Sequence, residues 1–87
     1  MKIVFEHDVT SIECFNLQED NFDHDECYIS LTQDQLNLFY TILNRSRVLL
    51  LAMFAILSDD NRTIIHQKCF YLGKLRDTNT IHVMICD

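Results

Sequence analysis

LTQDQLNLFYTILNRSRVLLLAMFAIL, residues 31 to 57, is the stretch on which the architecture of this chain turns. Thr32 stands three residues before Gln35, so its hydroxyl can accept a hydrogen bond from the Gln35 amide while the Gln35 side chain reaches back to the Thr32 amide. Leu31 and Leu36 flank this cap where a hydrophobic staple forms, and Asp34 places a carboxylate in the first turn, where the helix dipole favours it. Beyond the cap, Leu36, Phe39, Tyr40, Leu43, Arg47, Leu50, Phe54 and Leu57 recur at threes and fours, and Leu38, Ile42, Leu49, Met53 and Ile56 form a second stripe. The spacing predicts one helix over 33 to 57, with a break allowed at the polar patch Asn44 to Arg47.

Two apolar stripes on one helix require cover on two sides. Val48 to Leu57 offers no polar residue at all, and each Leu or Phe left in water forgoes roughly 1.5 to 3 kcal/mol. Leu36, Phe39, Leu43, Leu50, Phe54 and Leu57 are therefore expected either in the core or against a second copy of the chain. A homodimer through the helix is favoured over a monomer whose strands wrap it.

The flanks read as strands. Met1 to Glu6 and Thr10 to Leu17 mix β-branched and aromatic residues around a turn at His7-Asp8-Val9, and Cys27 to Leu31 is a short third strand. Gln18 to Glu26 is a solvated loop or strand extension, and Ser58 to Arg62 a turn. Thr63 to Leu72 and Thr80 to Cys86 form a second hairpin, joined by Gly73 to Asn79. The expected fold is α+β, a small two-layer domain spanning residues 1 to 87. Its sheet, antiparallel or mixed, has four to five strands and carries one long apolar helix, in the order β-β-(β)-α-β-β.

Net charge is −6, unevenly placed. Residues 1 to 31 hold eight acids against Lys2 alone, a balance of −7, whereas residues 32 to 87 carry five acids and six bases, a balance of +1. Such an N-terminal third repels phosphate backbones and anionic membranes and attracts basic protein surfaces. Direct nucleic-acid and membrane binding are not expected. With 48% hydrophobic residues, no Pro and one Gly, the chain is composed to pack a core. The N-terminus has no basic-then-apolar leader pattern, and the longest apolar run, Val48 to Leu57, is half of what a membrane helix needs. A cytoplasmic setting is expected, with Cys14, Cys27, Cys69 and Cys86 as free thiols.

Histidine and cysteine recur at one spacing, His24-x-x-Cys27 and His66-x-x-Cys69, and zinc takes four such ligands tetrahedrally. His66 and Cys69, however, fall inside an expected strand, where residues three apart face opposite ways, so no metal and no cofactor are expected and a zinc module remains a minor alternative. Glu19 to Glu26 lacks the ligand spacing and the glycine of a calcium loop. For catalysis, His24 and Cys27 stand among carboxylates that suppress a thiolate, and no phosphate-cradling glycine motif occurs, so no enzyme and no catalytic residue are expected.

A small, acidic, glycine-poor domain without a chemical site points to action by contact. The expectation is an inhibitor that occludes a basic surface on another protein, in the manner of immunity proteins or phage-encoded blockers of nucleic-acid-handling or defence proteins. Glu19, Asp20, Asp23, Asp25 and Glu26 are its expected contacts, with Phe22 as an apolar anchor. A homo-oligomeric structural subunit held by the helix is the alternative.

Overall fold

A computed structural model of the chain describes residues 1–6, 11–14, 16–19, 25–48, 53–58, 60 and 62–86. Four strands precede the helix: β1 (Lys2–Phe5), β2 (Ser11–Glu13), β3 (Asn16–Glu19) and β4 (Glu26–Ser30). Helix α1 (Gln33–Val48) follows, then β5 (Phe54–Leu57), β6 (Ile64–Lys74) and β7 (Thr80–Ile85). All seven strands join one antiparallel sheet in the order β2-β1-β5-β6-β7-β4-β3. The α+β class agrees with the sequence reading, as does one helix among the described residues, while the sheet has more strands than the four to five expected.

The helix begins as its cap requires. The Thr32 amide donates to Gln35 Oε1 at 2.8 Å and the Gln35 amide to Thr32 Oγ1 at 3.1 Å. Leu31 and Leu36, the staple pair, are both buried.

Its far end corrects the sequence reading. The described helix stops at Val48, and Phe54 to Leu57 form a strand between β1 and β6, pairing Ile3 with Ile56 and Phe54 with Cys69. An unbroken apolar run has no polar positions to fix its period, so a buried mid-sheet strand satisfies it as well as a helix face does. Of the stripe residues, Leu36, Phe39 and Leu43 lie in the core on α1, Phe54 lies in the core on β5, Leu57 is half-buried on β5, and Leu50 lies outside the described residues. Leu36, Phe39, Leu43 and Phe54 are thus core residues and cannot be dimer contacts.

The expected strand Thr10 to Leu17 is split in an informative way. Its first part, β2, pairs with β1 at one edge of the sheet, and its second part, β3, pairs with β4 at the other. In a flat sheet these edges would stand about 29 Å apart, at about 4.8 Å per strand. Three residue steps from Glu13 to Asn16 can span only about 11 Å. The sheet must therefore curl until its two edges approach at this corner. β6 provides the opposite bend, pairing with β5 over Ile64 to Cys69 and with β7 over Cys69 to Lys74, with register shifts in both ladders. Such irregularities bend a strand and increase its twist.

Inside the curl lies α1. Phe39 sits at the centre of an aromatic cluster, with ring centroids 5.4 Å from Phe5, 5.7 Å from Phe54 and 5.6 Å from Tyr71, so one helical side chain touches β1, β5 and β6. Tyr40 and Tyr71 share a hydroxyl hydrogen bond of 2.9 Å at the rim of this cluster. The rest of the core joins Leu36, Ile42 and Leu43 of α1 to alternate positions of the strands, including Ile3, Ile12, Ile29, Ile56, Ile81 and Val83. The β6–β7 hairpin closes at Asp77, whose φ of 61° lies in the left-handed region that Asp tolerates better than most residues. No described helix is long and apolar enough to cross a membrane.

Candidate functional site

The acidic stretch joins β3 to β4. β3 ends at Glu19, paired with Cys27, and β4 starts at Glu26, so residues 20 to 25 form the connection of a hairpin at the sheet's edge. Asp25, the last residue before β4, is exposed, and its carbonyl accepts the Ile85 amide at 2.6 Å, tying this end of the connection to β7. Asp20, Phe22, Asp23 and His24 lie outside the described residues.

Glu26 is placed differently from its neighbours. Its side chain is 26% exposed and Oε1 lies 3.3 Å from His82 Nε2, a contact off the line of a hydrogen bond. The His82 ring stacks on Tyr28, with centroids 4.8 Å apart and planes 16° from parallel. Glu26, Tyr28 and His82 face away from the helix, since they alternate with the buried Cys27, Ile29, Ile81 and Val83. Sequence spacing could not foresee this trio, because it depends on the pairing of β4 with β7 across fifty residues of chain.

Glu6 and Glu13, the other described acids of the N-terminal third, lie apart from this stretch. Glu13 on β2 makes an ion pair of 3.6 Å with Lys2, and Glu6 lies at the rim of a cavity of about 290 Å³ lined also by Met53, Phe54, Ala55, Ile64, Gln67 and Lys68. That volume is at the lower end for ligand pockets, and a single Glu and Lys on a mainly apolar lining make no acid–base or nucleophilic set.

The described candidate zinc residues do not converge. Cys27 on β4 and Cys69 on β6 are both buried on the inner face, with β7 between them, which sets them about two strand spacings apart, roughly 10 Å. Two sulfurs on one zinc each lie at about 2.3 Å from it. A bulge places His66 opposite Ile56 and Cys69 opposite Phe54, so the rule that residues three apart face opposite ways fails here. Among the described residues no group of three or more His, Cys, Asp or Glu side chains could hold a metal ion.

Cysteine chemistry follows burial. Cys14, Cys27 and Cys69 are buried free thiols and Cys86 is exposed. Burial pushes the Cys14 thiol up to about 11, outweighing the nearby N-terminal ammonium, while Glu13 adds to the rise. Well below its ordinary value of about 9 this thiol is protonated in the folded and the unfolded chain alike. As pH climbs from about 9 to about 11 the unfolded chain ionises first, so stability should fall there, by up to about 1.4 kcal/mol per pH unit from this group. The Cys14→Ala variant, although less stable at pH 8, should lose less between pH 8 and pH 10.5 in urea melts. Equal alkaline losses in the two proteins would contradict the assignment.

No protein-family model matches this sequence, and no curated protein or solved structure matches it either.

Proposed function

We propose that this protein is a small acidic binding protein that occludes a basic surface on a partner protein, using the connection between β3 and β4. The observation that carries this reading is the position of the charge. Glu19, Asp20, Asp23 and Asp25 fall in or beside one hairpin connection at the edge of the sheet, and the core is built entirely from other residues. Phe22 supplies an apolar anchor within the same segment. Glu26, turned toward His82, acts as a support for the base of the hairpin rather than as a contact.

A carboxylate cluster on a protein of net charge −6 accelerates encounter with cationic surfaces, and the gain shrinks as salt screens it. Surfaces that bind nucleic acid are basic, so their owners are the class of partner favoured, as for immunity proteins and phage-encoded inhibitors. Affinity capture from native cell extract with the tagged full chain tests this. A partner with a basic surface that is retained at low salt and released at high salt is the expected result. Capture that is indifferent to salt, or of acidic partners only, would overturn the reading.

A further inference from the structure

β5 is a strand written in helix-forming residues. Between Val48 and Leu57 the chain carries Leu49, Leu50, Leu51, Ala52, Met53 and Ala55, all strong helix formers, and no Gly, Pro or Asn stands there to stop a helix capped at Thr32. The structure nevertheless places Phe54–Leu57 in the middle of the sheet. Burial decides for the strand. Residues two apart point the same way in a strand but about 200° apart on a helix, so only the strand turns both Phe54 and Ile56 inward, where they are 1% and 0% exposed.

The two neighbours of β5 hold it unequally. Its ladder with β1 is regular throughout, from Lys2 opposite Leu57 to Phe5 opposite Phe54. Its ladder with β6 shifts register between Phe54 and Ile56 and again between Ile56 and Leu57. The cavity opens along that seam, with Met53, Phe54 and Ala55 on one side and Ile64, Gln67 and Lys68 on the other. β1 is therefore the better-matched partner, and it lies about fifty residues away in the chain, with Ile3 against Ile56.

We infer that Phe54 to Leu57 are a two-state segment, helical as a continuation of α1 while β1 is undocked, and strand β5 once β1 seats beside it. A helix elongates in nanoseconds per residue, whereas pairing with a strand so distant in sequence waits on closure of a long loop. The helical form is thus reached first, and docking of β1 converts it. The conversion assembles the centre of the sheet, because β5 alone bonds the β2-β1 pair to β6-β7-β4-β3 in the strand order.

Stopped-flow far-ultraviolet circular dichroism, following the full chain as it refolds from urea, tests the inference. The helical signal should exceed its native value within milliseconds and then relax to it as β5 forms, at a rate independent of protein concentration. Ala55→Val and Leu57→Val exchange good helix formers for a β-branched residue at half-buried positions outside the core, and Ala55 borders the cavity, so the native spectrum should be kept. Each should lower the helical population about twofold to threefold, and together they should reduce the overshoot by about half or more. Met84→Val, a like change at a half-buried position of β7, should leave the overshoot as in the parent. A signal that climbs to its native value without exceeding it would overturn the inference. So would an overshoot that the Ala55→Val and Leu57→Val pair leaves unchanged, or that Met84→Val reduces as much. The measurement uses the chain alone, so its outcome is separate from that of the proposed contact with a basic partner.

Discussion

The Phe39→Ala variant should lose about 3 to 5 kcal/mol of stability, the cost of removing a fully buried aromatic ring and leaving a cavity. Phe39 is 0% exposed and within ring contact of Phe5, Phe54 and Tyr71. These partners come from three different strands, so the space it leaves cannot close by moving one element. A domain of 87 residues holds about 4 to 13 kcal/mol in all, so the variant should be partly or wholly unfolded at physiological temperature. Leu38→Ala, one residue earlier on the same helix but 38% exposed, should cost less than about 1 kcal/mol. Urea melts of both variants check the pair. A Phe39→Ala loss as small as that of Leu38→Ala would mean that α1 is not seated in the curl of the sheet.

The second large effect is on binding and leaves the fold intact. Changing Glu19→Gln, Asp20→Asn, Asp23→Asn and Asp25→Asn together removes four negative charges and hardly any volume. Asp25 contributes to the fold through its backbone carbonyl, which the amide keeps. The melting temperature should stay or rise slightly, since like charges are thinned. Association with the captured partner should slow by about tenfold to a hundredfold at low salt, with little change at high salt, because such charges act chiefly on the rate of encounter. Stopped-flow or surface-based kinetics at two ionic strengths reads this directly. An unchanged rate at low salt in a variant that still folds would place the contact elsewhere.

How much of this was legible in the residues depended on the range of the signal. The helix start was readable because its cap is local: Thr32, Gln35 and their neighbours decide it among themselves. The second hairpin was also readable, with β6 and β7 observed within two residues of the stretches expected. Phe54 to Leu57 were misread because periodicity cannot separate helix from strand in a run with no polar residue, and what decides it is the pairing with β1 and β6. Thr10 to Leu17 reads as one strand for a related reason. Its composition is uniform, whereas its two arms pair at opposite edges of the sheet, a fact that belongs to topology. At the candidate site, the acidic segment is visible in composition alone. The turning of Glu26 toward His82 is not, because it requires the β4–β7 register.

The most direct measurement of the central claim is residue-by-residue amide shift mapping, with the isotope-labelled chain titrated with its captured partner. The largest changes are expected at Gln18 and Glu19 on one side of the β3–β4 connection and at Asp25 and Glu26 on the other, with β1, β5 and the described part of α1 nearly still. Changes concentrated on Phe70, Leu72 and Met84, with the acidic connection unmoved, would contradict it and make the outer face of the sheet the partner's site.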